Sequence, residues 1–255
     1  MANSRSGDSM VQRIVRILDT FDASRTAQSP SEIARRAGLP TSSTHRIVAE
    51  LAASGLLERD EAGSVRIGLH LWELTTRGSR ALGLRQVAMP FMADVQREIR
   101  EHTQLAVLDA QDVLFIERLS DRGSGANITR IAGRLPIHAS SSGLVLLAHA
   151  DPTLQETVLG SPLRPVSAET ITDPRALRDK LHEIRQLGYA IAPGSIESVS
   201  TGIAVPVKDP FGGVIAALSV VLPRGQEQEP STVHVLKQAA AGITRAIRDT
   251  NFLSH

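Results

Sequence analysis

Two stretches of this chain put polar side chains where they can do chemistry. The first is Thr41-Ser42-Ser43-Thr44-His45-Arg46. On a helix, at about 100° per residue, Thr44, Ile47, Val48 and Leu51 turn inward and Ser42, Arg46, Ala49 and Ala53 turn outward. Ser43, His45 and Glu50 lie on the flanks. A short polar first turn with one Arg suits a helix that enters the DNA major groove by its N-terminal end. Arg46 can fork onto guanine O6 and N7 or grip a phosphate, and His45 can donate to either. The hydroxyls of Thr41, Ser42 and Ser43 can reach phosphates or base edges. A solvated helix face carries the same residue types. The second stretch is Leu135-Pro136-Ile137-His138-Ala139-Ser140-Ser141-Ser142-Gly143, an extended run that meets three serines opening an apolar helix. Free N–H groups at a helix start, with the hydroxyls of Ser140, Ser141 and Ser142, make an anion site for a carboxylate. An ordinary serine cap uses the same residues. In the apolar run Val214 to Leu222, Ala217, Ser219 and Val221 share one face, which fits either a pocket wall or a core in which the hydroxyl is satisfied.

Catalysis finds little to build on. The chain has no G-x-x-x-x-G-K-[ST], no G-x-S-x-G and no H-E-x-x-H. Its eight His are scattered, none at ligand spacing from another, and it has no Cys. That removes disulfide frameworks, thiolate zinc sites and cysteine nucleophiles. No catalytic residue, metal site or cofactor is assigned. Gly123-Ser124-Gly125 reads as a loop.

Elements must hold these groups in place. Ser9 precedes a helix whose apolar positions run from Val11 to Phe21 at helical period, and Arg25 to Pro30 is a polar break. Ser31 precedes a short helix, Glu32 to Ala37, and Gly38 supplies a left-handed turn into a helix from about Thr41 to Ser54. Leu56–Arg59 and Ser64–Ile67 flank a Gly-bearing loop, a hairpin signal. Helix-turn-helix followed at once by a hairpin is the layout of a winged helix. Arg66 on that hairpin can reach the minor groove or a flanking phosphate, or simply stand exposed. Pro90 suits a helix start, so Ser79 to Ala88 reads as a linker helix and Met89 to His102 as the first helix of a second domain. Strands are expected at Leu105–Leu108, Val113–Leu119, Ile128–Ile131, Tyr189–Ile191, Thr201–Val207 and Val214–Leu222. Helices are expected at Gly143–Ala150, Asp151–Leu159, Asp173–Leu187 and Ser231–Arg248. This mixture without a strict βαβ repeat predicts an α+β sheet domain. The domains are then 1–77, a connector over 78–88, and 89–255.

The 255 residues fit one or two domains. Net charge is +1, but residues 1–85 hold 12 Arg against 9 acids, and residues 86–255 hold 16 bases against 18 acids. The +3 and −2 halves suit a DNA-binding N-terminal part with a neutral partner domain. Twenty-five of the 28 bases are Arg, which a GC-rich coding bias also produces. No signal-peptide or membrane-spanning run is present, so a cytoplasmic protein without membrane contact is expected.

Several pieces, in order, resemble the IclR family of bacterial transcriptional regulators from about Met10 to Arg248. They are Gly38-Leu39-Pro40, Thr44-His45-Arg46, Ile67-Gly68, Leu135-Pro136-Ile137-His138 with Gly143 and Leu147-Ala148, Gly188-Tyr189-Ala190, Glu197, Ile203-Ala204-Val205-Pro206-Val207 and Ala217-Leu218-Ser219. The resemblance implies a winged helix-turn-helix joined by a linker helix to a GAF-like α/β effector domain with a central, largely antiparallel sheet. It implies homodimers, usually paired into tetramers, that bind double-stranded operator DNA and answer to a small organic acid or related metabolite. By motif, its effector pocket falls on Ser140, Ser141, Ser142, Ala192, Gly202, Ser219 and Val221. The chain departs from the family at Leu144, where Lys is common, at Gly202, where Cys is common, and at Val199 and Val221, in place of Gly and Ser. Polarity then survives at one wall, and the expected effector has an apolar or aromatic body with one carboxylate or amide end. A small-molecule hydrolase or transferase with an accessory winged helix, and a winged helix that binds no DNA, stay open at this point.

Overall fold

A computed structural model of the chain describes residues 8–121, 124, 129, 131–226 and 229–250. Internal contacts separate two units, Met1–Ser79 and Arg80–His255. In the first, α1 (Met10–Leu18) starts at Ser9, whose hydroxyl accepts from the Gln12 N–H while the Gln12 side chain accepts from the Ser9 N–H. The segment expected as a polar break contains a short strand, β1 (Ala27–Gln28). Gln28 is buried there because its amide is fully used: Nε2 donates to the Thr20 carbonyl at 3.0 Å and Oε1 accepts from Arg36 at 2.7 Å. Helix α2 (Pro30–Ala37) starts earlier than Ser31 predicts. Ser29 caps it, with Pro30 in the first turn and Glu32 closing the reciprocal capping box. Gly38, at φ +61°, ends α2 and leads into α3 (Thr41–Ala53). Strands β2 (Leu57–Arg59) and β3 (Val65–Ile67) complete a three-stranded antiparallel sheet of order β1-β3-β2, followed by α4 (Leu69–Gly78). Ile17, Ile33, Ile47, Val48, Leu51, Leu57 and Val65 form the core.

The second unit opens with α5 (Arg80–Ile99), one helix where the sequence predicts two. Pro90 lies inside it rather than at a start, because the buried stripe Leu84, Ala88, Met92 and Val95 runs straight past the proline. Packing of that stripe outweighs the lost hydrogen bond. Arg100, at φ +62°, turns the chain, so His102 belongs to a strand and not to the helix. Strands β4 (His102–Asp109), β5 (Asp112–Leu119) and β6 (Arg134–Pro136) come next. Helices α6 (Ser141–Ala148), α7 (Pro152–Leu159) and α8 (Pro174–Leu187) follow. Strands β7 (Ala190–Pro193), β8 (Ser200–Lys208) and β9 (Val214–Pro223) and helix α9 (Glu229–Asp249) end the unit. The expected strand Ile128–Ile131 falls partly outside the described residues, at Ile128 and Arg130; Ile131 is in a turn.

All strand pairs are antiparallel, in the order β6-β5-β4-β9-β8-β7. Helices α5 and α9 cover one face through Met92, Leu218, Val220, Leu236 and Ile243. The other face packs under α6, α7 and α8 through Phe115, Leu144, Leu147, Leu177 and Leu181. Two apolar faces explain why β8 and β9 read as near-continuous apolar runs.

Candidate functional site

A cavity opens between the start of α6 and the sheet. Its floor is Leu135 on β6, Phe115 on β5, Gln104 on β4, Val221 on β9, Gly202 on β8 and Ala192 on β7. Its roof is Ser140, Ser141 and Ser142, and Thr129, Ile196, Glu197 and Ser200 close the ends. The three serines do different things. Ser140 caps α6, its oxygen accepting from the Gly143 N–H at 3.1 Å. Ser142 donates to the Ser219 hydroxyl at 2.9 Å, which seats the helix start on β9. Ser141 is only 5% exposed, yet its hydroxyl has no partner among the described residues. A Cβ added at Gly202 would stand 2.6 Å from Ser141 Oγ, so the glycine makes room for that hydroxyl. Gly143 is equally constrained: a Cβ there would lie 2.1 Å from the Ile137 carbonyl.

Six of the seven residues expected at an effector pocket thus meet around one cavity; the seventh, Ser219, lies behind it and holds Ser142. The first backbone N–H groups of a helix are orphan donors and carry partial positive charge. With Ser141 Oγ they can bind a carboxylate. The cavity volume is ≈ 30 Å³, against about 150 Å³ for a cavity that takes a benzene ring, so a ring needs more space than this structure shows. Outside sheet and helix the lining is Thr129 and the β7–β8 connection with Ile196 and Glu197. The connection's carbonyls are tied down by Ser167 to Gly194 at 2.7 Å, Thr170 to Ser195 at 2.7 Å and Arg224 to Ser198 at 3.2 Å. Nearby His138 donates through Nε2 to the Arg164 carbonyl at 3.0 Å, and burial pushes its imidazole below the ordinary range. Among the described residues, no group of three or more His, Asp or Glu is placed to hold a metal ion.

In the first unit, α3 buries Thr44, Ile47, Val48 and Leu51. Thr41, Ser42, His45 and Arg46 are exposed and Ser43 is half-buried. Arg46 pairs with Glu50 at 2.7 Å, and both side chains are 58% exposed. Arg66 on β3 meets Glu58 directly across from it on β2 at 3.2 Å. The Leu69 N–H and then Arg66 hold the Glu58 carboxyl below the usual carboxylate range. Surface pairs of this kind are worth about 0–1 kcal/mol, so either Arg can exchange its carboxylate for a phosphate at little cost.

Residues 10–61 match the IclR helix-turn-helix domain, and residues 79–245 match the C-terminal domain of the bacterial transcriptional regulator IclR. The chain belongs to the IclR family. An IclR homologue from Microbacterium hydrocarbonoxydans, solved in complex with 4-hydroxybenzoate, has 55% identity and a TM-score of 0.89, covering 94% of this chain and 100% of that one. The HTH-type transcriptional regulator XynR of Escherichia coli K12 is 29% identical over 245 residues, 93% of this chain and 96% of XynR. KipR of Bacillus subtilis 168, also an HTH-type transcriptional regulator, is 27% identical over 85% of this chain and 88% of KipR. As an IclR-type protein the chain is a ligand-responsive DNA-binding transcriptional regulator. Among the described residues, no helix is long and apolar enough to cross a membrane.

Sequence reasoning missed Gln104, Phe115, Thr129, Leu135, Ile196, Glu197 and Ser200 as cavity residues. The sequence predicts a strand from Leu105, one residue past Gln104, and so places outside it a buried amide that faces the cavity. Two-residue alternation back from Ala106 was the available signal for it. Phe115 had a signal too, as an aromatic residue in a chain with 3% aromatics.

Proposed function

We propose that this IclR-type regulator senses an aromatic monocarboxylic acid of the hydroxybenzoate class and controls a catabolic operon through operator DNA. Ser141 carries the proposal: a buried hydroxyl with no partner among the described residues, at a helix start, above a floor that is apolar apart from Gln104. The carboxylate lies on Ser141 and the helix-start N–H groups, with Ser140 and Ser142 fixing that geometry from behind. The ring lies over Val221 and Ala192, beside the Ser141 hydroxyl that Gly202 makes room for, with Ser219 bracing Ser142. The relative of 55% identity bound to 4-hydroxybenzoate supports the choice of acid.

Operator DNA is read by Thr41, Ser42, Ser43, His45 and Arg46 on α3, with Arg66 on the hairpin. One recognition helix covers only a few base pairs, so two half-sites and a homodimer follow. Residues left bare on α1 and α4 (Val11, Val15, Leu69 and Trp72) are available to a second copy; pairs of dimers fit the same plan. In this reading residues 1–77 read DNA, 78–88 connect and 89–255 sense the acid. We assign no catalytic role to any residue, and such a regulator works in the cytoplasm with the DNA.

Titration calorimetry of the full chain with 4-hydroxybenzoate tests the site. A hydrogen bond to a charged group is worth about 1.5–3 kcal/mol, so Ser141→Ala weakens binding by roughly tenfold to a hundredfold. Affinity unchanged in Ser141→Ala would remove the carboxylate from this position.

A further inference from the structure

We infer that Gln104 selects among aromatic acids, requiring a hydrogen-bond donor such as a phenol or aniline on the ring opposite the carboxylate. This rests on the aromatic-acid reading above and adds the part of the effector that reading leaves open. Gln104 is 2% exposed, on β4, and lines the cavity. Its Nε2 donates to Thr129 Oγ1, and Arg118 donates to the Thr129 carbonyl, so the amide is held by groups that are themselves held. That leaves Oε1, an acceptor with no protein partner among the described residues.

The sheet sets where this acceptor stands. Gln104 pairs with Ser219 on β9, and Gly202, beneath Ser141, pairs with Val221 on the far side of β9. Gln104 and Gly202 are therefore two strand spacings apart across the sheet and two residues apart along it, about 12 Å in all. Val221 lies between them on the cavity floor. A ring resting on Val221 has Ser141 at one edge and Gln104 at the other. A buried acceptor that meets only a C–H loses its water without replacement, and the cost falls on the acid that lacks a donor. Phe115 and Leu135 beside Gln104 offer that acid no alternative partner. Glu197, the charged group of the lining, sits on the β7–β8 connection, along the strand from Gly202 rather than across from it.

Calorimetry with four acids on the full chain tests this. Wild type is expected to bind 4-hydroxybenzoate and 4-aminobenzoate about tenfold or more tighter than benzoate and 4-methoxybenzoate. Gln104→Leu brings the four within about threefold of each other. Gln104→Glu keeps an acceptor in place and keeps the order, and it decides the matter if the Leu variant does not fold. Equal binding of benzoate or 4-methoxybenzoate by wild type overturns the inference, as does a preference that survives Gln104→Leu or is lost in Gln104→Glu. A preference that vanishes in Glu197→Gln but not in Gln104→Leu overturns it in favour of the other residue. Binding of none of the four acids overturns the aromatic-acid reading and this inference together, whereas undiscriminating binding overturns this inference alone.

Discussion

Ser140, Ser141 and Ser142 show how far residue types can be read without a structure. Their run fits an anion site and a helix cap equally well; in the structure Ser140 caps, Ser142 ties α6 to Ser219, and the Ser141 hydroxyl has no partner among the described residues. Which serine does which depends on its angle about the helix start and on Gly202 in another element, far along the chain, and neither is written in the run itself. On α3 the angle is legible, because Ile47, Val48 and Leu51 fix the inward face and thereby the outward one. Arg46 is the residue to test there. Its partner Glu50 is exposed and exchangeable, so Arg46→Ala costs little in the free protein and weakens operator binding by about 1–3 kcal/mol. Gel shifts over a salt series separate its two possible contacts. A guanine fork makes the loss larger on operator than on random DNA. A phosphate grip makes it equal on both and flattens the salt slope by about one. Operator affinity unchanged at fixed salt would remove α3 as the reader.

Elements were legible where their ends are chemically marked. Asp173-Pro174 and Gly188 bound α8 as the sequence predicts, with Asp173 accepting from the Arg175 N–H and Gly188 at φ +73°. Ser9 starts α1 in the same way. The misread ends are those settled by packing. β1 exists because Gln28 has buried partners, and β4 starts at His102 because its first residues pair with β9. Helix α5 crosses Pro90 because its apolar stripe is already committed to the sheet. Pro90 itself is exposed, so its ring contributes little packing while the helix forgoes a backbone hydrogen bond. Pro costs about 3 kcal/mol against Ala in a helix interior, and a stiffer unfolded chain returns up to about 1 kcal/mol of that. Pro90→Ala is therefore expected to stabilise the protein by about 2 kcal/mol, read as a higher urea midpoint at unchanged m. A lower midpoint would mean that the bend imposed by Pro90 is needed to lay α5 on the sheet.

At the scale of the whole molecule, a near-neutral chain is composed of two units, Met1–Ser79 at net +1 and Arg80–His255 at net 0, each with its own core. Separate cores predict separate unfolding events, since cooperativity needs shared buried surface. The cavity belongs entirely to the unit Arg80–His255. A ligand stabilises only the species that binds it, by RT ln(1 + [L]/Kd), which is about 2.7 kcal/mol at a hundredfold excess over Kd. Differential scanning calorimetry with 4-hydroxybenzoate should thus show two transitions, with the acid raising the Tm of one and leaving the other in place. The transition that moves should be the larger, because enthalpy of unfolding scales with residue number and the second unit is more than twice the length of the first. Operator DNA added instead should raise the smaller transition. A single transition shifted as a whole by the acid would mean that the reader and the sensor unfold as one body, and that occupancy of the cavity is transmitted to α3 through shared structure.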